Sequence, residues 1–217
     1  MSPITTHASG PPSLLALLLS GAAVLLPGTA GAQGPWRFDV RLDGRPIGFH
    51  EFQVQERGEE TEVLSRAHFL VTVLRVPLYR YEHEDHETWR AGCLVRIEAT
   101  TNDNGRRTQV RGAGAAQGFA VMGPAGASHW PGCVRSFAYW DTRLLDAPRL
   151  LNAQTGEYEA VQVTRIEDPA AAAGATAHYR LTGEHFHIDL WYGAHGEWRA
   201  LESRTPEGRT LRYEISP

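Results

Sequence analysis

Lysine is missing from this chain: every one of its 21 basic residues is arginine, in a total of 217. The substitution of one cation for the other reads as the codon usage of a GC-rich genome. The arginines are dispersed, no basic run appears, and the formal net charge is -4, which argues against a nucleic-acid partner. Long apolar runs are missing too. The longest, residues 14–26, is too short to span a membrane, so a membrane-spanning chain is not expected. Catalytic signatures are equally scarce. There is no G-x-S-x-G elbow, and Ser65, Ser128, Ser136 and Ser203 have no recognisable nucleophile frame. Gly112-Ala113-Gly114 precedes no helix signal, so no phosphate-cradling loop is read. The carboxylates Glu82, Glu84, Asp85 and Glu87 crowd one segment, from which no glycosidase geometry follows. Nothing calls for a cofactor.

What is present points first to export. The apolar run is followed by Pro27 and by Ala30-Gly31-Ala32, a small-x-small cleavage site, so residues 1–32 read as a secretory signal and the mature chain as starting at Gln33. The n-region departs from the pattern, with only the amino terminus and His7 to supply positive charge. No cysteine follows the run, which argues against a lipid anchor. A periplasmic or secreted location is expected. Cys93 and Cys133 are the only cysteines, and in that compartment they are expected to pair. Closing a loop of about 40 residues stabilises by about 3–4 kcal/mol on a loop-entropy estimate.

Residues 33–217 read as a single antiparallel β-barrel-like domain. Trp36, Phe38, Val40 and Leu42 alternate with charged residues and lead to a turn at Asp43-Gly44. The apolar parity changes between Phe49 and Phe52, which predicts a bulge at His50-Glu51. Residues 69–74 are apolar on both faces and are expected to be covered on both. In residues 78–89, Tyr79, Tyr81, His83, Asp85 and Glu87 share one face, and Arg80, Glu82, Glu84 and His86 the other. His83 and Asp85 could be two ligands or an acid-base pair; the competing expectation is an edge strand whose charges discourage pairing. Residues 94–101 and 106–112 form a hairpin across Asp103-Asn104-Gly105. Further hairpins fill the last third. The expected architecture is all-β: an antiparallel meander of about ten short strands, forming a closed or half-open barrel with a short helical plug.

That plug is residues 133–156, which fit neither a period-two strand nor a simple turn. Asp141 is expected to cap one helical turn carrying Leu144 and Leu145, and Asp146 with Pro148 to start another carrying Leu150 and Leu151. Phe137, Tyr139, Trp140 and the leucine pairs could simply cover an open end of the sheet. Alternatively Trp140, Asp141 and Asn152 line the mouth of a pocket, with Trp191 as a further ligand-binding candidate. Trp36, Phe38 and Phe69 are further candidate rings for pocket or core. A second chemical signal is His185, His187 and Asp189, which alternation places on one face. H-x-H on a strand is a metal-site geometry that needs another ligand, for which His83 or Asp85 is available. The competing view is a polar outer face.

Trp89-Arg90-Ala91-Gly92-Cys93, Leu150-Leu151-Asn152-Ala153-Gln154-Thr155-Gly156, Leu190-Trp191-Tyr192 and Gly208-Arg209-Thr210-Leu211-Arg212-Tyr213 together resemble a family of secreted bacterial proteins, domain of unknown function 6134. The resemblance covers essentially the whole mature chain and carries no established activity, so it implies no catalytic residue. More loosely, strands with a helical plug resemble the open barrels of periplasmic lipoprotein carriers, which shelter acyl chains; that likeness is architectural. Three functions stay open: an exported binding or envelope-accessory protein holding an apolar or lipid-like ligand, a structural or interaction domain without a small-molecule site, and a metal-dependent enzyme using His185, His187, Asp189 and His83. The oligomeric state is not legible.

Overall fold

In the computed structural model the described residues are 33–73, 76–167 and 172–216, so the expected signal segment lies outside them. Eight strands run consecutively: β1 (Gln33–Leu42), β2 (Arg45–Arg57), β3 (Glu60–Val73), β4 (Val76–Arg90), β5 (Cys93–Asp103), β6 (Arg106–Ala115), β7 (Gly118–Gly123) and β8 (Gly126–Pro131). A covering segment follows, with a 3₁₀ helix (Thr142–Asp146), β9 (Arg149–Leu151) and β10 (Tyr158–Ala160). β11 (Gln162–Ile166), β12 (Ala177–Thr182), β13 (His187–Tyr192), β14 (Trp198–Arg204) and β15 (Thr210–Ile215) complete the chain. β15 pairs with β1, which joins the two meanders into one 13-stranded antiparallel sheet. Its edges, β11 and β8, do not pair with each other, so the barrel is half open.

Tight turns set the hairpin registers. Asp43-Gly44, Ala91-Gly92 and Asn104-Gly105 all have positive φ at both positions, the twist that matches right-handed strand pairs. Strands are more numerous and longer than the sequence suggests, because small-residue segments such as residues 106–115 and 126–131 pair through their backbones despite weak side-chain propensity.

The predicted bulge at His50-Glu51 is absent. Pairing runs unbroken from Trp36↔Phe52 to Val40↔Gly48 and slips only outside that stretch, between Gln33 and Trp36 and between Val40 and Arg41. The parity change has another cause: Phe49 faces outward, where the Arg37 guanidinium lies 3.8 Å from its ring centre. Gly48 stands at the slip with φ +151, and a Cβ there would lie 1.9 Å from the His68 carbonyl oxygen. The expectation that residues 69–74 are covered on both faces also fails where side chains are described, since of residues 69–72 Phe69 alone is buried and Leu70 is exposed on the outer side; the side chains of 73 and 74 lie outside the described part.

The concave face carries two apolar clusters, one around Phe38, Leu190 and Leu201 and one around Trp89, Ile97 and Phe119. The covering segment closes over both. Its first turn forms as expected: the Asp141 carboxylate caps the 3₁₀ helix by accepting from the Arg143 N–H at 3.0 Å, and Leu144 is buried. The second expected turn is instead strand β9. Leu150 enters one cluster and its neighbour Leu151 the other, both fully buried. Only an extended backbone sends adjacent side chains to opposite faces. Cys93 and Cys133 lie at bonding distance, Sγ–Sγ 2.02 Å, beside the Leu94 N–H to Val134 carbonyl bond of 2.8 Å that seams the segment to β5.

Candidate functional site

β4 is not an edge strand. It pairs with β3 along one side and β5 along the other, so its titratable residues sit near the middle of the half-barrel. The outer face carries Arg80, Glu82, Glu84 and His86, with Glu84 accepting from Arg66 at 2.8 Å. The inner face turns Tyr81, His83, Asp85, Glu87 and Trp89 inward, and the last four are buried. Small residues stand directly opposite: Ala67 faces His83, and Ser65 on one side and Ala99 on the other face Asp85. Large polar side chains flanked by small ones cannot fill the concave face. A cavity of about 310 Å³ results, with His50, Ser65, His83, Asp85 and Glu87 on the sheet side and Ser136, Tyr139, Trp140 and Asn152 on the covering side.

The electrostatics follow from burial. Asp85 is 6% exposed, and its carboxyl is held well above the usual range by desolvation, by the charge of Glu87 and by a hydrogen bond to that residue. Glu87 is pushed up to about 7 by burial, opposed by hydrogen bonds from Ser136, Trp89 and Asp85. The Trp89 Nε1–H donates to Glu87 Oε2 at 2.9 Å. Asp85 thus acts as the acid of the pair and Glu87 as the carboxylate, while the Oδ1 of Asp85 is buried without a partner. Both imidazoles are held neutral. Burial and the nearby His83 lower His50 to about 3, and burial lowers His83 to about 4.

His50 Nε2 lies 2.8 Å from Ser65 Oγ, the separation of a base and a nucleophile. An imidazole that protonates only near pH 3 is a poor general base at neutrality, and that argues against acyl transfer. His83 Nδ1 is occupied by Thr101 Oγ1 at 2.9 Å. The constellation is better suited to holding a polar group within an apolar chamber than to nucleophilic chemistry.

The sequence candidates divide. Trp140 and Asn152 line the cavity, with Trp140 edge-on to Trp89 at 5.7 Å. The Asn152 side chain also holds its loop, donating to Glu159 and accepting from the Gln154 N–H, each at 2.8 Å. Asp141 is spent on its cap and on the Arg143 ion pair at 2.8 Å. Trp191 lies on the opposite face of its strand from the cavity residue Ile188, stacked on His178 at 4.4 Å and under Arg212 at 4.5 Å. The proposed metal ligands are not brought together: His185 is 85% exposed, Asp189 accepts from Arg180 at 2.9 Å and lies 2.7 Å from His178 Nε2, and His83 faces the cavity. Among the described residues no group of three or more His, Cys, Asp or Glu is placed to hold a metal ion. Among them, too, no helix is long and apolar enough to cross a membrane. Sequence reading missed His50 because the false bulge displaced it, and Ser65 because it hides within Val63, Ser65, Ala67 and Phe69. A register argument could have found both.

A family model described as domain of unknown function (DUF6134) matches residues 38–216, nearly the whole described chain. The chain belongs to this family. No curated protein matches it. Among solved structures it is similar to the β-barrel-like protein of domain of unknown function DUF1849 from Brucella abortus, with a TM-score of 0.59 at 10% identity, covering 84% of this chain and 94% of that one. At that identity the likeness speaks for the fold alone. A β-barrel-like fold is therefore an architecture that this DUF6134 chain has in common with a DUF1849 protein.

Proposed function

We propose that this is an exported binding protein that holds a compact, largely apolar molecule inside its half-barrel. The observation that carries the reading is the cavity of about 310 Å³ between the sheet and the covering segment. Phe52, Phe137, Tyr139, Trp140 and Tyr213 supply apolar walls, and the β4 carboxyls a polar floor. Ligand pockets combine these two kinds of lining. The volume lies at the small end of the range of roughly 300–1,000 Å³ for such pockets, which suits a single chain or ring system and not a diacyl lipid. Trp140 and Asn152 would meet the ligand at the covering side. Export is supported by the apolar run with its Ala30-Gly31-Ala32 site and by a cysteine pair at bonding distance, which persists in oxidising compartments.

Native mass spectrometry of the mature protein, released from its own envelope without detergent, tests this. The expected spectrum contains an adduct of small-molecule mass that dissociates on collisional heating. A bare mass in every preparation, together with failure of small aromatic compounds to raise the melting temperature, would favour a structural domain with a solvent-filled interior.

A further inference from the structure

We infer that the cavity selects a ligand bearing an amine, with the nitrogen donating to Asp85 Oδ1 and its positive charge set against the Asp85–Glu87 pair. This rests on the binding reading above and names its ligand class. The first observation is geometric: Asp85 lines the cavity, and its Oδ1 is buried without a hydrogen-bond partner. A buried acceptor left unpaired is destabilising, and a donor that reaches it from the cavity removes that penalty. The second observation is charge. Burial and their mutual hydrogen bond keep Asp85 protonated to high pH, and once Glu87 ionises at about pH 7 the pair carries a negative charge. None of the described arginines lines the cavity, and its two imidazoles are neutral. An enclosed anion without a cation is a costly arrangement that a bound ammonium corrects.

Other classes fit less well. An alcohol would satisfy the Oδ1 acceptor but leave the charge, and a carboxylate would meet the pair with like charge. Three rings line the cavity wall, Tyr139, Trp140 and Tyr213, and an aromatic ring attracts a cation. The ligand class is therefore a compact apolar amine, aromatic or alicyclic.

The test is calorimetric titration at pH 8 with three isosteric probes: 2-phenylethylamine, 2-phenylethanol and 3-phenylpropanoate. The amine is expected to bind at least tenfold more tightly than either of the others. Asp85→Asn combined with Glu87→Gln keeps the shape but removes both carboxyls and with them the charge, and it is expected to bring the amine within threefold of the alcohol; Glu87→Gln alone, which removes the carboxylate of the pair, serves the same purpose if the double variant fails to fold. Equal or tighter binding of the alcohol or the carboxylate to the unaltered protein would overturn the inference while leaving a binding protein in place. So would an amine preference that survives both substitutions. If none of the three probes binds, the binding reading falls and this inference with it.

Discussion

Asp85 and Glu87 lie two residues apart on β4, both turned into the same enclosed space and hydrogen-bonded to one another. Alternation along the strand brings them together, and the small Ser65 and Ala99 opposite Asp85 leave room for the cavity, while Trp89 and Ser136 hydrogen-bond Glu87. The other titratable groups that share this space are His50, Tyr81, His83, Tyr139, Glu159 and Tyr213.

The pair makes stability depend on pH with a definite sign. Both carboxyls keep their protons to higher pH in the folded protein than in the unfolded chain, Glu87 to about 7 against a usual 4.5. Their contribution is fully present below about pH 4; that of Glu87 is lost as pH rises through about 7, and that of Asp85 as pH rises through its own raised value. His50 and His83 act oppositely. Their folded values of about 3 and 4 lie below the usual 6.5, so their contribution is intact above that value and is lost as pH falls. Stability is expected to peak between these limbs. Glu87→Gln retains an acceptor for the Trp89 N–H and removes the titration, and it should gain about 1–3 kcal/mol at pH 8 while gaining less than about 1 kcal/mol at pH 5. Urea denaturation at pH 5, 6.5 and 8 checks this; a Glu87→Gln variant no more stable than wild type at pH 8 would show that the carboxyl carries no burial penalty.

A backbone collision governs Gly48. Its φ of +151 is open to glycine, and a Cβ would lie 1.9 Å from the His68 carbonyl oxygen, which belongs to the neighbouring strand and cannot swing aside. Gly48→Ala is expected to cost at least about 3 kcal/mol. Gly44→Ala is the control, because a Cβ there meets nothing within 4 Å and the cost is that of the positive φ alone, about 1 kcal/mol. Equal costs at the two positions would mean that the strand pair yields at Gly48 with little effort.

The Cys93–Cys133 pair closes a sequence separation of 40 and fastens the start of the covering segment to β5. Replacing both cysteines by serine is expected to lower unfolding free energy by about 3–4 kcal/mol. The loss should be local before it is global. Amide exchange of Leu94 and of residues 134–140, seamed by the Leu94–Val134 and Leu151–Arg135 backbone bonds, should quicken well before exchange in β1 and β15. Uniform acceleration across the sheet would instead place the bridge's effect in the unfolded chain alone.

The sheet was legible because period-two alternation and turn residues are local signals: residues 36–42, 78–89 and 94–112 show them plainly. What alternation cannot say is which face is inner, or which strand is central. β4 reads equally well as a charged edge or as the floor of a chamber, and only the pairing of its flanks with β3 and β5 decides between them. The same limit hid the cavity, since Ala67 and Ser65 become meaningful only when register sets them opposite His83 and Asp85. Leu150-Leu151 misled as a helical pair because two adjacent apolar residues fit a helix turn or a strand buried on both faces, and the two clusters they fill come from distant parts of the chain.

Outer-face residues on and beside β13 offer a last discrimination. Asp189 is buried and accepts from Arg180 through both oxygens at 2.9 Å, with His178 Nε2 2.7 Å away, which ties β12 to β13. Removing it strands polar partners beside the buried Trp191, and Asp189→Ala is expected to cost about 2–4 kcal/mol. His185 and His187 stand in solvent, so their joint replacement by alanine should leave the melting temperature unchanged. A metal centre predicts the reverse pattern: zinc would raise the melting temperature of the unaltered protein, and the double histidine variant would lose that rise. Differential scanning calorimetry of both variants, with and without added zinc, separates a polar clamp between two strands from a ligand set, and the distances around Asp189 favour the clamp.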